Sequence, residues 1–403
     1  MILFDKEFTS TIEAIQDQLL AYIYITTGKH GTVQNFDNIL ENGSTDEPIT
    51  VSSNNDSILM MYTSGTTGKP KGAIFSHLNL LAASIGLTHT IDWWEQDRFL
   101  SVAPFFHIGG FAPLITNVHT GATTILMEDF DPIAVWKTIE VEQITTMMTV
   151  PAMLSFMLKV FNNVNPTYSS LRNITCGASA VPSQLIATFK QLGISVQQVY
   201  GITEYCGAVS FWKESMNSEK YDSMGKSVMH GALKIVNPET GEELPNGVNG
   251  EIICSGPQVF KGYLKNEEAY SKVVVNGWYH TGDIGRIDEE GFLYVIDRLK
   301  DMIISGGENI YSAEIEAQLI THPAIVEAAV IGVPNQKWGE IPRAYVVVSQ
   351  GAYLSEEDVI SFCKEHLAAY KAVKEVIFIE QLPRNAVGKV LKNTLKDKDP
   401  LLQ

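Results

Sequence analysis

The sequence predicts an α/β protein with a large layered domain and a smaller α+β domain after it. From about residue 57 to 210, short apolar runs alternate with helical patterns, which is typical of helices packed on a largely parallel sheet. Between about 223 and 297, short strands are separated by turn signals such as Asn276-Gly277, which indicates a small antiparallel β subdomain. From about residue 300 onward, helix and strand patterns alternate again and predict a compact α+β unit.

The predicted elements follow in chain order. Apolar residues at helical spacing predict a helix over 8–22, a polar stretch predicts a loop over 42–56, and the run SILMMY predicts a buried strand over 57–62. The helix predicted over 355–369 begins with Ser355 and Asp358 at the spacing of a capping box. The other predicted strands are 122–127, 144–149, 232–236, 250–255, 292–296, 328–333, 343–348 and 375–379, and the other predicted helices are 132–140 and 312–322.

Composition excludes several classes of function. The chain of 403 residues carries 29 Lys and Arg against 46 Asp and Glu, which gives a formal net charge of −17. A field of that sign repels nucleic acid and anionic membrane surfaces, so we expect neither as a partner. The apolar runs are strand-sized and no basic N-terminal region precedes an apolar core, so we expect no integral membrane association and a cytoplasmic location. A zinc site or disulfide framework is not expected from the spacing of the cysteines, which are Cys176, Cys206, Cys254 and Cys363.

Residues 62–72 carry the strongest chemical signal of the chain. They read YTSGTTGKPKG and follow a predicted strand. Glycines let backbone N–H groups turn inward, hydroxyls add donors, and two lysines supply compact positive charge, which is what a loop needs to wrap a polyphosphate. The spacing differs from that of a Walker A loop, because Gly65 and Gly68 are only three apart and Pro70 follows Lys69. The alternative is a solvated turn between strands, which the full run of hydroxyls, glycines and lysines disfavours.

Five ordered segments resemble the signature segments of the adenylate-forming superfamily, which contains acyl-CoA synthetases, peptide-synthetase adenylation domains and luciferases. The resemblance covers about residues 57–395. Among the members of the superfamily, the sequence is most similar to fatty acid–CoA ligases. It implies an enzyme that uses ATP and Mg²⁺ to activate a carboxylic acid as an acyl-adenylate. The acyl group then passes to the thiol of CoA, with release of AMP and pyrophosphate. The segments are 62–72, YGITE at 200–204, GWYHTGD at 277–283, DRLKDMIISGGENIY at 297–311 and NAVGK at 385–389.

The resemblance implies that the glycine-rich loop holds the phosphates of ATP. Thr67 and Glu204 are similar to the residues that help to hold Mg²⁺, and a hydroxyl and a carboxylate are suitable hard oxygen ligands. Out of this context, Glu204 would be interpreted as a surface acid after a turn. The residues that the resemblance assigns to the phosphates are Thr63, Ser64, Gly65, Thr66, Thr67, Gly68, Lys69 and Lys71.

The resemblance also implies a site for the nucleoside. Asp283 is similar to the acceptor of the ribose hydroxyls, since an ionised carboxylate can accept from two vicinal hydroxyls, and Arg298 approaches the ribose or the α-phosphate. Asp283 would otherwise be interpreted as a turn-forming residue. An adenine ring needs small residues and an aromatic face beside it, and the residues assigned to these walls and the adjoining segment are Gly177, Ala178, Tyr200, Gly201 and Thr203.

Two lysines are implied to carry the adenylation step and a domain movement. Lys389 resembles the lysine that touches both the carboxylate and the α-phosphate, where an ammonium stabilises the charge that builds on oxygen; a solvated lysine is the alternative. Lys300 resembles the hinge about which the C-terminal domain swings between adenylation and thiol transfer. After that swing, Gly306 and Gly307 would line a tunnel for the pantetheine arm of CoA. Trp338 is interpreted either as part of the same tunnel or as a core residue.

The segment PFFHIGGF at 104–111 resembles the aromatic-histidine segment near the acyl pocket. His107 is interpreted as a residue that orients or gates the carboxylate of the acid, with a core histidine as the alternative. It completes a predicted catalytic set with Lys389, Glu204 and Thr67. Candidate neighbours in the acyl pocket are Phe106, Phe111, Tyr205 and Cys206.

The resemblance implies two domains. Residues 1–298 would form the large adenylation domain, and residues 299–403 the mobile C-terminal domain. Only 61 residues precede Tyr62, whereas family members have a much longer stretch there. We therefore expect a shortened large domain that exposes apolar surface, and a homo-oligomer is one way to cover it.

Three alternatives to a fatty acid–CoA ligase stay open at this point. The acceptor could be the thiol of a carrier protein instead of CoA. The acid could be an aryl or succinylbenzoate acid instead of a medium- or long-chain fatty acid. The chain could also be an inactive scaffold that keeps only a nucleotide-binding fold.

Overall fold

The computed structural model describes residues 1–21, 23–28, 34–63, 70–179, 181–384 and 390–399. It contains two compact units, residues 1–53 and residues 54–403. Both units mix helices with strands, as the predicted α/β class requires.

The first unit is a small parallel sheet with short helices. Its elements are β1 (Ile2–Phe4), α1 (Thr9–Ile15), β2 (Tyr24–Thr26), β3 (Gln34–Asn35) and α2 (Phe36–Asn42), and the strands pair in the order β1-β2-β3. The helix predicted over 8–22 is therefore too long, because α1 passes into a 3₁₀ turn at Gln16–Gln18 and then into extended backbone. None of the residues of α1 is buried, so no packing extends a helix that is marginal alone.

The second unit holds all the remaining described elements. Its strands are β4 (Ser57–Thr63), β5 (Lys71–Ser76), β6 (Arg98–Ser101), β7 (Thr123–Leu126), β8 (Thr146–Thr149), β9 (Asn173–Cys176), β10 (Ser195–Ile202), β11 (Gly207–Trp212), β12 (Lys226–Ser227), β13 (Ala232–Val236), β14 (Gly250–Ser255), β15 (Gly262–Tyr263), β16 (Val274–Val275), β17 (Trp278–Ile287), β18 (Leu293–Arg298), β19 (Ile303–Ser305), β20 (Glu308–Ile310), β21 (Ile325–Asn335), β22 (Gly339–Val348) and β23 (Glu375–Phe378). Its helices are α3 (His77–Thr90), α4 (Ile108–Thr120), α5 (Pro132–Val141), α6 (Pro151–Val164), α7 (Ser183–Gln191), α8 (Glu267–Val273), α9 (Ser312–Ile320), α10 (Glu356–His366) and α11 (Lys392–Lys398).

A seven-stranded sheet forms the centre of the layered part. Its order is β12-β11-β10-β9-β8-β6-β7, and the neighbours from β10 to β7 are parallel. β11 and β12 continue the sheet antiparallel to β10. The predicted, largely parallel sheet is thus present, and its parallel strands end at one common edge.

A three-stranded sheet carries the start of the glycine-rich segment. Its order is β15-β5-β4, so β4 is an edge strand. The prediction that residues 57–62 form a strand is right, but the prediction that the strand is buried is wrong. Ile58, Met60 and Tyr62 are 51%, 44% and 58% exposed, whereas Met61 and the partly buried Leu59 face the core. The reason is that, within the described residues of the second unit, β4 packs on β5 and no other element covers its outer face.

The predicted β subdomain is a five-stranded antiparallel sheet. Its order is β13-β14-β17-β16, and β18 pairs with the other part of β17. β17 is the longest of these strands, with ten residues, although the sequence indicated only the turn before it. The hairpin of β17 and β18 leads directly into the last part of the chain.

The last part of the chain is an α+β unit, as predicted. Its sheet has the order β20-β19-β22-β21, with β23 parallel to β22. α9 and α10 contribute Ile315, Leu319, Val359 and Cys363 to its core, and the predicted capping box of Ser355 is present at the start of α10. The hairpin of β19 and β20 and the helix α11 were not predicted.

Two further expectations concern cysteines and membranes. All four cysteines are free and buried. Within the described ranges, no helix combines the length and the apolar character needed to cross a membrane.

Candidate active site

Three predicted nucleotide-site residues meet at the hairpin of β17 and β18. Asp283 and Arg298 are paired directly across the hairpin, and Arg298 Nε lies 3.3 Å from Asp283 Oδ1. The hydroxyl of Tyr200, at a bulge in β10, donates to Asp283 Oδ2 at 2.7 Å. Burial and the adjacent Asp283 carboxylate raise the pKa of Tyr200 well above its ordinary value, so the hydroxyl stays protonated and remains a donor.

A buried glutamate holds the part of β17 that carries Asp283. Glu251 on β14 is only 6% exposed. Its Oε1 accepts from the N–H of Gly282 at 3.1 Å, and its Oε2 lies 2.8 Å from His280 Nδ1. These contacts hold the backbone directly before Asp283. Glu251 was not among the predicted site residues, because a glutamate within a predicted strand gives no signal of its own.

A second cluster joins Glu204 and Lys71 through Tyr263. The hydroxyl of Tyr263 donates to Glu204 Oε1 at 2.8 Å, and Lys71 Nζ lies 5.2 Å from the centre of the Tyr263 ring, within the range of a cation–π contact. Burial and the Glu204 carboxylate raise the pKa of Tyr263 far above its ordinary value, so this hydroxyl also stays a donor. Sequence reasoning missed Tyr263, because only the pairing of β15 with β5 brings it beside Lys71.

Buried side chains connect the two clusters. Burial raises the pKa of both Tyr279 and Cys254, and the charge of Glu204 raises each of them further. The charge of Asp283 acts on Cys254 as well. The geometry agrees, because the ring of Phe260 packs on Tyr263 of one cluster at 4.8 Å and on Tyr279 at 5.9 Å, and Tyr279 lies on β17, the strand that carries Asp283.

Two predicted stretches lie outside the described residues. They contain Lys389 and the loop residues Ser64, Gly65, Thr66, Thr67, Gly68 and Lys69. The described residues that flank each stretch are paired with one another: Thr63 lies opposite Lys71, and Arg384 bridges to Val390. The structure therefore defines the two ends of each stretch, and the roles of the residues within it stay predictions.

The residues predicted to enclose adenine lie at the carboxyl ends of β9 and β10. These strands are parallel neighbours, and such ends are where open α/β sheets bind ligands. A Cβ atom at Gly177 would lie 2.5 Å from Val199 Cγ1, so only glycine lets the end of β9 approach β10 this closely. The other members of the group are Ala178 and Gly201, which are exposed, and Thr203, which is half-buried.

His107 lies at the start of α4, after the carboxyl end of the parallel strand β6. It is half-buried, and its ring centre lies 4.6 Å from that of the exposed Phe106. Burial lowers the pKa of His107, so the imidazole is neutral near pH 7. Tyr205 and Cys206, which were candidate pocket neighbours, are 0% and 1% exposed and belong to the core.

The predicted hinge and tunnel residues lie along an exposed edge of the last sheet. Lys300 is exposed in a 3₁₀ turn between β18 and β19. Gly306 has a φ of +62° and donates its N–H to the carbonyl of Trp338 at 2.7 Å, and Gly307 follows with a φ of +87°. Trp338 is 46% exposed. That exposure rules out the alternative interpretation of Trp338 as a core residue.

The donor set suits a magnesium ion that arrives with a nucleotide. Glu204 offers a half-buried carboxylate, and carboxylate oxygen is the ligand type that Mg²⁺ prefers. In the part of the chain that the structure describes, no group of three or more His, Cys, Asp and Glu side chains could hold a metal. Mg²⁺ commonly takes one or two protein ligands and completes its shell with phosphates and water, so the carboxylate of Glu204 fits this ion, and the contribution of Thr67 stays a prediction.

Two family models match the chain. The model of the AMP-binding enzyme matches residues 5–264, and the model of the AMP-binding enzyme C-terminal domain matches residues 314–389.

Relatives and solved structures agree with the family match. The 2-succinylbenzoate–CoA ligase of Bacillus cytotoxicus is 40% identical over 342 residues, which cover 85% of this chain and 70% of that protein. The o-succinylbenzoate CoA synthetase of Bacillus subtilis, in complex with its acyl-adenylate intermediate, has a TM-score of 0.85 and 35% identity, covering 96% of this chain and 81% of that one. The same enzyme in complex with ATP and a magnesium ion has a TM-score of 0.84 and 35% identity, covering 98% and 78%.

A fatty acyl CoA synthetase of Mycobacterium tuberculosis is also similar, with a TM-score of 0.72 and 36% identity over 98% of this chain and 77% of that one. The predicted superfamily and fold class are thereby confirmed, and the chain is a ligase that belongs to the AMP-binding enzyme family.

Proposed function

We propose that this chain is an ATP-dependent acid–CoA ligase that works through a bound acyl-adenylate. The observation that supports the proposal is the pair of residue clusters, one around Asp283 and one around Glu204, that lie beside the same buried side chains. Asp283, with Tyr200 and Arg298, offers a carboxylate to the hydroxyls of a ribose. Glu204 and Lys71, joined by Tyr263, offer a carboxylate and an ammonium to a polyphosphate and its metal.

The first half-reaction joins the acid to the nucleotide. A carboxylate oxygen of the acid bonds to the α-phosphorus of ATP, and the bond from that phosphorus to pyrophosphate breaks. Both reactants are anions, so cationic groups must offset the charge that gathers in the transition state. We assign the contact with the carboxylate and α-phosphate to Lys389, and a contact with the outer phosphates to Lys71. Mg²⁺, held by Glu204 and Thr67, would neutralise part of the phosphate charge.

The second half-reaction transfers the acyl group. The sulfur of CoA bonds to the acyl carbon, the bond from that carbon to the phosphate oxygen breaks, and AMP leaves; the proton of the thiol passes to solvent. We propose that residues 299–403 rotate as one domain about Lys300 between the two half-reactions. The exposed position of Lys300 between β18 and β19 supports this assignment, and Gly306, Gly307 and Trp338 would then face the pantetheine arm.

We propose 2-succinylbenzoate as the first acid to test, in place of the fatty acid expected from the sequence. The relatives named for succinylbenzoate are 40% and 35% identical to this chain. The fatty acyl CoA synthetase is 36% identical, so fatty acids belong in the same panel.

The experiment measures pyrophosphate release by the purified protein with ATP, Mg²⁺ and a panel of aromatic and fatty acids, with and without CoA. Release that depends on succinylbenzoate and increases with CoA is the expected result. Release with fatty acids alone would reject the proposed acid. Stimulation by a holo carrier protein, but not by CoA, would identify the other acceptor, and ATP binding without release for any acid would indicate a scaffold.

A matched pair of variants tests the site within the same assay. Asp283→Asn removes the charge beside Arg298 and should lower release by roughly tenfold to a hundredfold, since a hydrogen bond to a charged group contributes about 1.5–3 kcal/mol. Asp288→Asn, on the same hairpin, removes the charge that pairs with Lys220 at 2.6 Å and should leave release nearly unchanged. Equal losses in both variants would contradict a nucleotide contact at Asp283.

A further inference from the structure

We propose that Asp297, Ser312 and Lys392 form a latch that holds the last part of the chain in the orientation seen here. The proposal rests on the ligase function and on the hinge at Lys300 proposed above. It identifies polar contacts that must break before the two half-reactions can alternate.

The latch crosses the proposed hinge. Asp297 precedes Lys300 on β18, whereas Ser312 begins α9 after it. Ser312 Oγ donates to Asp297 Oδ2 at 2.7 Å, and the N–H of Ala313 donates to the same oxygen at 3.1 Å. Asp297 is 9% exposed and Ser312 is 0% exposed, so water competes little for these hydrogen bonds. A rotation of the backbone at Lys300 moves α9 away from β18 and separates both pairs.

Asp297 also acts as the N-terminal cap of α9 from outside the helix. Tyr311, which occupies the N-cap position, makes no capping hydrogen bond with its side chain. The amide of Ala313 in the first turn therefore has its acceptor on β18. A carboxylate at a helix start is stabilised by the free N–H groups and by the helix dipole. After a rotation, both the helix start and Asp297 would need new partners, so the contact favours one orientation.

Lys392 extends the latch to the segment that follows Lys389. Its Nζ donates to Ser312 Oγ at 2.7 Å and lies 2.7 Å from Glu316 Oε1. Lys392 begins α11, two residues after Val390. Val390 and Arg384 pair with one another at the two ends of residues 385–389, the stretch that contains Lys389 and is called the lysine loop below. One buried hydroxyl therefore connects β18 with the chain segment that leaves the lysine loop.

At its other end, the latch adjoins the nucleotide cluster. Asp297 Oδ1 accepts from the N–H of Arg298 at 2.7 Å, and the side chain of Arg298 lies 3.3 Å from Asp283. The polar contacts thus run from the ribose-side carboxylate, through adjacent residues of β18, to the start of α9 and α11.

An unpaired carboxylate oxygen beside the hinge shows why this orientation needs such contacts. Asp301 follows Lys300, and its Oδ1 is buried without a hydrogen-bond partner among the described residues. A buried polar group that lacks a partner costs free energy. The hydrogen bonds of Asp297, Ser312 and Lys392 offset that cost in the orientation seen here.

The test compares two serine variants in the two half-reactions, each measured alone: acid-dependent pyrophosphate release, and transfer from a pre-made acyl-adenylate to CoA. Ser312→Ala removes the bridging hydroxyl. Ser355→Ala is the matched control, because Ser355 caps α10 within the same part of the chain and does not cross the hinge. We expect Ser312→Ala to change the ratio of the two rates by roughly tenfold, with one half-reaction slowed and the other spared. Ser355→Ala should leave the ratio unchanged.

A second measurement does not depend on catalysis. Spin labels attached through Glu239→Cys and Tyr353→Cys report the distance between the β subdomain and the last part of the chain; both positions are exposed, and the native cysteines are buried. Ser312→Ala should increase the fraction of molecules that show a second inter-label distance, which is only a minor population in the wild-type protein.

An unchanged distance distribution, or an equal loss in both half-reactions, would overturn the latch. If the wild-type protein forms no adenylate with any acid, the proposed function fails, and the distance measurement still decides whether the latch exists.

Discussion

Replacing Tyr263 with phenylalanine should isolate one hydrogen bond at the candidate phosphate site. The ring that Lys71 approaches at 5.2 Å remains in the variant, and so does its packing on Phe260 at 4.8 Å between ring centres. What is lost is the hydroxyl that donates to Glu204 Oε1 at 2.8 Å. Because burial and Glu204 raise the pKa of Tyr263, this hydroxyl is a donor throughout the working pH range.

The size of the effect follows from the charge on the acceptor. A hydrogen bond to a charged group contributes about 1.5–3 kcal/mol, and Glu204 is only half-buried. We therefore expect the lower end of that range, which is roughly a tenfold loss of affinity for Mg²⁺·ATP. AMP lacks the outer phosphates, so its affinity should change by less than about twofold.

The assay is calorimetric titration of Tyr263→Phe with a non-hydrolysable ATP analogue plus Mg²⁺, and separately with AMP. Tyr270→Phe is the control, because Tyr270 packs on the same Phe260 ring at 5.3 Å and is expected to leave both affinities unchanged. Equal losses for the ATP analogue and AMP would mean that Tyr263 supports only the fold. An unchanged affinity for the ATP analogue would refute the role of this hydroxyl in orienting Glu204.

Three further predictions concern the lysine loop, the histidine and a buried ion pair. Lys389→Ala should abolish adenylate formation and spare transfer from a pre-made acyl-adenylate, and equal losses in the two separate assays would reject its assigned role. Burial lowers the pKa of His107, so the unfolded chain binds a proton there more readily, and stability should fall as the pH drops below about 6.5. Thermal unfolding between about pH 7.5 and 5.5 should show that this part of the decline is missing in His107→Gln, and an identical decline would contradict it. Arg343→Met leaves the fully buried Asp399 without its guanidinium partner and should lower the free energy of unfolding by about 3 kcal/mol in urea. Tyr345→Phe, which removes only the hydroxyl bonded to Asp399, should cost about 1 kcal/mol, and equal costs would argue against the charge as the cause.

The layered fold could be predicted where its strands leave a local pattern. Strand β8 of the parallel sheet is a short run covered on both faces, and turn signals separate the strands of the β subdomain. Strand β9 is equally covered but was not predicted individually. Strand β4 has the same apolar appearance, yet its outer face is exposed. Whether a strand is covered depends on distant neighbours, which a local run does not specify. β17 was missed because Gly282 and Gly285 interrupt its pattern.

The site could be predicted where a residue lies inside a recognisable segment. Tyr200, Asp283 and Arg298 come from three such segments. In the structure, the side chains of Tyr200 and Arg298 both contact the carboxylate of Asp283. Tyr263 and Glu251 lie in strands without a chemical pattern. They reach the site only because β15 lies beside β5 and β14 beside β17. Strand pairings between distant parts of the chain decide such contacts, and no spacing within one segment encodes them.

Under the proposed function, the geometry of a strand lets the hairpin of β17 and β18 link nucleotide contact to domain orientation. Successive side chains on a strand point to opposite faces. Arg298 therefore faces Asp283 on one side, while Asp297, its neighbour in the chain, faces the start of α9 on the other. Any displacement of the end of β18 that improves the contact of Arg298 with a bound nucleotide also moves the carboxylate that caps α9. In the proposed cycle, these two adjacent residues would couple occupancy of the site to the orientation of the C-terminal part of the chain, without a long path through the core.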